Sequence, residues 1–279
     1  MSATSQPTSP YLCHYTKSPL TIDGDLSKSA WQQAPRSGRF VDVVSGSPAI
    51  YDSRAAALWD ETNLYIAFWC EEPFVAARMT RRDDIIFREN DVEVFIDGGD
   101  CYYELELNAL GTLYEVLFIW QDAYRRGGRF DVPEFDLHTR EAVSFGGNHD
   151  RQHAHFWRGT HPRGNRWAFL DWDFPGLQVG IQIDGTINDP TAVDKGWTVE
   201  LAFPWAGMGA LAGDRPVPPH PGDIWRIFFA RYEKFDMGGE TVHAGWAWDP
   251  IGSTDNHQPD KFTPIQFSGA DVLTLPAQE

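Results

Sequence analysis

Two short stretches, Asp91-Val92-Glu93-Val94-Phe95-Ile96-Asp97 and Tyr102-Tyr103-Glu104-Leu105-Glu106-Leu107-Asn108, alternate with a period of two and are joined by a link containing Gly98 and Gly99. Side chains of a strand point alternately to its two faces, whereas a helix repeats every 3.6 residues and would scatter the same pattern. The stretches therefore read as a hairpin. Val92, Val94 and Ile96 face one side with Tyr103, Leu105 and Leu107. Asp91, Glu93, Phe95 and Asp97 face the other with Tyr102, Glu104, Glu106 and Asn108.

The same period recurs along the chain. Ala55 to Trp59 and Leu64 to Cys70 are expected strands joined by Asp60-Glu61-Thr62-Asn63, residue types that favour a tight turn. Thr112 to Trp120 follows the hairpin through Gly111, and later strands are expected at Leu177 to Asp184, Gly196 to Phe203 and Ile224 to Glu233. Pro204 closes the second of these, because proline cannot donate to a ladder. Strands at this spacing predict an all-β antiparallel sandwich with short helices. Residues 1 to 18 read as a flexible arm, and residues 19 to 270 as a single domain. Ser27 is the expected N-cap of a short helix anchored by Trp31. An insertion spans about 121 to 175, with strands expected at Gln152 to Trp157 and Trp167 to Asp171.

At 279 residues the chain is long enough to bury a large core. A net charge of −17 argues against nucleic acid and anionic membrane surfaces, since phosphate needs Lys or Arg opposite it. Three cysteines, Cys13, Cys70 and Cys101, form no disulfide framework. The first residues lack a basic and then apolar leader, and no run is long enough to span a bilayer, so a cytoplasmic protein is expected, or a secreted one if a leader has been removed.

Chemistry concentrates on the polar face of the hairpin, where Glu93, Glu104, Glu106 and Asn108 gather. Carboxylates and amides beside aromatic rings suit sugars, whose hydroxyls need planar hydrogen-bond partners and whose C–H faces pack on rings. A solvated sheet face is the plain alternative. Paired glutamates could also serve as glycosidase acid and base. His149, His153, His155 and His161 cluster in the insertion without a metal-site spacing. Arg231 shares its strand face with Trp225, Ile227 and Phe229, so it is either paired with a carboxylate or aimed at a ligand, with Glu93 or Glu106 as the expected partner.

Five segments in order, Ile22-Asp23-Gly24 with Trp31, Leu58 to Phe68, Asp91 to Asp97, Gly196 to Trp205, and Pro259-Asp260-Lys261-Phe262, resemble carbohydrate-binding module family 9, a DOMON-like, jelly-roll-like β-sandwich. The resemblance implies a non-catalytic module that binds sugar ends in a slot between two tryptophans over a concave sheet, takes part in carbohydrate catabolism, needs no cofactor and often carries calcium. Glu93 and Asn108 fall on the family's sheet glutamate and asparagine. The first clamp tryptophan falls on Phe87, a sheet arginine on Glu106, and the second clamp tryptophan on Asn256 beside His257. The expected site is therefore Phe87, Glu93, Glu106, Asn108, Arg231, Asn256 and His257, with a carbohydrate as partner and no catalytic residue. A glycoside-acting enzyme and a non-sugar interaction module are the alternatives.

Overall fold

A computed structural model of the chain describes residues 10–147 and 160–276. The first strands are β1 (Tyr11–Tyr15), β2 (Val41–Asp42), β3 (Ser53–Trp59) and β4 (Asn63–Glu71). The middle of the chain supplies β5 (Asp91–Asp97), β6 (Cys101–Leu107), β7 (Leu113–Trp120), β8 (Ala142–Phe145) and β9 (Arg166–Phe169). The last are β10 (Gln178–Asp184), β11 (Gly196–Pro204), β12 (Ile224–Met237), β13 (Glu240–Ala247) and β14 (Thr263–Asp271). Two short helices, α1 (Ser29–Gln33) and α2 (Gly209–Ala212), complete the regular structure with a few 3-10 turns.

Hydrogen bonding runs through the order β10-β11-β4-β3-β1-β14-β12-β5-β6-β7-β9-β8, with β13 pairing to β12 and β2. This path folds over on itself as a sandwich. Phe68 of β4 meets Phe229 of β12 with ring centroids 5.4 Å apart, and Tyr103 of β6 meets Phe203 of β11 at 6.1 Å. Val92, Val94, Leu105 and Leu107 are all buried in the core between the halves, as the alternation requires.

The segments that carry the family resemblance act as structural locks. Glu200, fully buried on β11, accepts hydrogen bonds from the Asp23 and Gly24 backbone N–H groups at 3.0 and 3.2 Å, from Trp31 Nε1 at 2.7 Å and from Lys28 Nζ at 2.7 Å. Gly24 has φ 79° and lies so close to β10 that a Cβ would fall 2.5 Å from the Ile181 carbonyl carbon; only glycine fits. In the β3–β4 turn, Asp60 accepts from the N–H groups of Thr62 and Asn63 at 2.6 and 2.8 Å and from Tyr65 Oη at 2.7 Å. Trp205 Nε1 donates to the Asp60 carbonyl at 2.8 Å and ties β11 to that turn.

Several expectations need correction. The arm expected over residues 1 to 18 contains β1, whose Tyr11 to Tyr15 pair parallel with β14 and whose His14 and Tyr15 pair parallel with β3, so the sandwich is mixed rather than wholly antiparallel. Helix α1 is capped at Lys28 without a side-chain cap; the Ser27 N–H is instead held by Asp25. In the insertion, β9 runs from Arg166 to Phe169 and pairs with both β7 and β8, so this segment widens the sheet. The strand expected at Gln152 to Trp157 lies outside the described residues, as do His149, His153 and His155. Cys13, Cys70 and Cys101 are free thiols, all buried.

Candidate functional site

Strand register places the polar residues in rows. Ala230 of β12, Glu93 of β5, Glu106 of β6 and Tyr114 of β7 are cross-strand partners in one row. Phe228, Phe95, Glu104 and Val116 form the next. These residues share the face that turns away from the sandwich core, yet it is not solvated: Asp91 and Phe95 are fully buried, and Glu93, Glu104 and Glu106 are 3%, 5% and 2% exposed. The chain between β13 and β14 covers them. Phe262 packs on Phe95 at 5.7 Å and on Phe228 at 5.5 Å, and the His257 ring meets Phe95 edge-on at 5.5 Å.

This cover leaves a cavity of about 330 Å³ lined by Phe87, Glu93, Glu104, Glu106, Tyr114, Phe118, Phe145, Leu170, Tyr232, Asn256 and His257, with Val143, Ala168, His243 and Thr254 at its margin. Two of the three glutamates are held from behind. Asn256 Nδ2 donates to Glu93 Oε2 at 2.8 Å, and the Phe87 N–H donates to Glu106 Oε2 at 2.7 Å. His257 lies among Phe145, Phe118 and Tyr102 at centroid distances of 4.5, 5.0 and 5.9 Å. Its Nδ1 sits 3.2 Å from Tyr102 Oη, its Nε2 sits 3.6 Å from Glu104 Oε1, and its carbonyl accepts from Arg166 Nη2.

Burial controls the charge of these groups. It pushes the Glu93 carboxyl up to about 8, against the hydrogen bond from Asn256 that favours the anion. Glu104 and Glu106 are raised well above the ordinary carboxylate range, first by burial and then by like charge, chiefly from Glu93 on Glu104 and from Glu104 on Glu106. Asp91, behind Glu93, is raised by burial and then by Glu93 and Glu106. His257 is lowered by burial and by the Arg166 charge, and so stays neutral.

The structure brings Phe87, Glu93, Glu106, Asn256 and His257 together and places the other two expected residues elsewhere. Asn108 does not line the cavity. It is fully buried, accepts from the N–H groups of Leu110 and Thr112 at 3.0 Å each, and donates to the Met79 carbonyl at 2.9 Å and Glu89 Oε1 at 2.6 Å. It shapes the Gly111 turn and pins the 79–89 segment. Asn108→Ala is expected to lower stability by about 1–3 kcal/mol in denaturant titration, because it orphans buried donors and acceptors, and to leave ligand affinity within twofold. Arg231 is aimed into the sandwich core, where it pairs with Glu72 at 3.1 Å and Glu233 at 2.5 Å rather than with Glu93 or Glu106. Its row partner on β5 is Val92, a core residue, so alternation alone sends it inward.

Glu104 was legible as a member of the polar face, and Tyr114 follows once β7 is placed in register. Tyr232 follows from alternation on β12 once that strand is placed beside β5, whereas Phe145 carried no such signal, since its place depends on β8 joining the sheet through β9. Among the described residues no tryptophan lines the cavity. Trp120 packs on His161 at 4.6 Å, Trp246 on Tyr51 at 6.0 Å and Trp248 on Phe229 at 4.2 Å. Among the described residues no group of three or more His, Cys, Asp or Glu side chains could hold a metal ion, and no helix is long and apolar enough to cross a membrane. A larger groove of about 660 Å³ runs past Trp69 and Trp197, but its charges are satisfied: Arg54 pairs with Asp52 at 3.1 Å, Lys195 with Asp184 at 2.9 Å, and Arg36 lies 4.0 Å from the Trp69 ring centre.

Three solved structures share this architecture. A carbohydrate binding module family 9 from Caldicellulosiruptor kristjanssonii in complex with cellotriose superposes with a TM-score of 0.52 and 13% identity, over 97% of this chain and 100% of that one. A carbohydrate binding module family 9 from the same organism in complex with glucose gives 0.50 and 12%, over 92% and 96%. A protein from Bacteroides uniformis gives 0.56 and 14%, over 93% and 100%. The chain thus has the fold of family 9 carbohydrate-binding modules. No protein-family model matches it, and no curated protein does.

Proposed function

We propose that this chain binds the end of a saccharide in the cavity over β5 and β6, and serves in carbohydrate catabolism without itself cleaving the sugar. The observation that carries this reading is the cavity lining, which combines three carboxyls and one amide with Phe87, Tyr114, Phe118, Phe145 and Tyr232. At about 330 Å³ the space suits one or two sugar rings rather than a long chain, which favours capture of an end. The likeness to modules in complex with cellotriose and glucose supports the reading at the level of fold. The role in catabolism rests on that likeness alone.

Isothermal titration against a panel of mono- and oligosaccharides tests it, and silence across the panel overturns it. Phe87 is half exposed at the rim, so Phe87→Ala is expected to weaken the binding sugar by up to about tenfold, the equivalent of one aromatic contact, with the melting temperature unchanged. A second reading, a glycoside-acting enzyme, draws on one observation: Glu93 holds its proton up to about pH 8, as a general acid must, and Glu106 stands directly opposite. Turnover of a chromogenic glycoside that Glu93→Gln abolishes would establish it.

A further inference from the structure

Three carboxyl groups line the cavity, each at least nine-tenths buried, and among the described residues no Lys or Arg lines it with them. Two of the three have one oxygen engaged, Glu93 with Asn256 and Glu106 with the Phe87 N–H. Glu104 accepts no hydrogen bond from the described residues; His257 Nε2 lies 3.6 Å away, and the like charges of Glu93, Asp255 and Asp91 act on it. Among the described residues the Asn256 side-chain oxygen, on a residue 3% exposed, has no hydrogen-bond partner, and neither has one oxygen of Asp91. Buried acceptors left this way are costly unless a donor reaches them, and buried carboxylates need a cation or a proton.

Resting on the saccharide reading above, we infer that the sugar held here carries a free amine as its ammonium ion: an amino sugar, with the ammonium set among Glu104, Glu93 and the Asn256 side-chain oxygen. An ammonium ion offers three donors and one positive charge, which matches an acceptor-rich wall without cations. Tyr114 and Tyr232 add aromatic rings to the lining, and such rings attract a cation more than a neutral hydroxyl. A metal ion does not meet this geometry, because among the described residues the carboxyls do not converge on one point. A hydrogen-bonding organic cation of sugar size tolerates that spread. The raised carboxyls of the cavity fit the same picture, since the ammonium takes over charge balance from their protons and its binding releases protons to solvent.

Titration calorimetry with glucosamine, N-acetylglucosamine, glucose and cyclohexylamine, at pH 6.5 in two non-amine buffers of different protonation enthalpy, tests the inference. Glucosamine is expected to bind at least tenfold more tightly than glucose or N-acetylglucosamine and to release protons. Glu104→Gln is expected to erase that preference, so that glucosamine binds the variant no more tightly than glucose does. Glucose or N-acetylglucosamine binding as tightly as glucosamine would overturn the ammonium inference and leave the saccharide reading intact. Cyclohexylamine matching glucosamine while glucose stays silent would instead overturn the saccharide reading and keep the cation site. Silence from all four ligands overturns the inference, and the wider saccharide panel then decides the reading beneath it.

Discussion

Arg231→Ala is expected to cost the fold about 3–5 kcal/mol, the largest loss of any single substitution considered for this chain. Arg231 is fully buried, and its guanidinium satisfies four acceptors at once: Glu72 and Glu233, the Ser53 hydroxyl at 2.8 Å and the Glu71 carbonyl at 2.7 Å. Those acceptors belong to β3, the end of β4 and β12, so one side chain joins both halves of the sandwich. Asn90 extends the cluster, with Nδ2 donating to Glu72 at 2.8 Å and to Glu233 at 2.9 Å. Removing the cation leaves two carboxyl groups in a site that water does not reach. Total stabilities of about 5–15 kcal/mol mean the alanine variant sits near the limit of folding. Arg231→Lys keeps the charge but lacks the planar fork, so an intermediate loss is expected. Urea denaturation monitored by tryptophan fluorescence reads both, and a shift below about 1 kcal/mol for the alanine variant would contradict this role.

The second large effect is on pH. Glu93 and Glu233 have folded values pushed up to about 8, and Asp91, Glu104 and Glu106 are raised as well, so the folded chain holds protons that the unfolded chain has already released. Stability contributed by such groups is present below their unfolded values, near 4 to 4.5, and is lost as pH rises toward the folded ones. His257 and His243 act oppositely: their values are lowered, so they cost stability only below about pH 6.5. Between pH 6.5 and 8 the carboxyls therefore set the slope. The free protein is expected to lose stability across this window, by up to about 1.4 kcal/mol per pH unit for each carboxyl that stays protonated. Glu93→Gln is expected to flatten the profile, because it removes one titration and relieves the like charge on Glu104, Glu106 and Asp91. Melting temperatures at four pH values suffice; a wild-type profile that is flat or rising from 6.5 to 8 would refute the buried-proton picture.

Features with a local physical cause were legible before the fold was known. The Asp60 to Asn63 turn follows from side chains that bond their own backbone, and the β5–β6 faces follow from a two-residue period that any strand must obey. The same period already grouped Arg231 with Trp225, Ile227 and Phe229, all core residues. One partner, Glu233, was two residues away on the same strand face, whereas Glu72 was hidden because it lies 159 residues away and nothing near Arg231 in sequence points to it. Asn108 shares a face with Glu106 by alternation, yet it follows the last residue of β6, where the chain turns and backbone donors at 110 and 112 claim its oxygen. The cavity itself had no local signature. It exists because the 249–262 segment lies over a sheet face that by composition reads as solvated, and because the β8–β9 pair extends that face beyond β7. Strand β1 was missed for a related reason: a five-residue strand between Ser/Pro-rich stretches shows no clear alternation, and its partners β3 and β14 are distant in sequence.

Crystallography of the chain with the saccharide that titrates most tightly tests the central claim most directly. The expected result is a terminal sugar ring in the cavity beside Phe87, Tyr232 and His257, with at least one of Glu93, Glu104 and Glu106 within hydrogen-bond distance. A ring seated along Trp69 and Trp197, with none over β5 and β6, would contradict it.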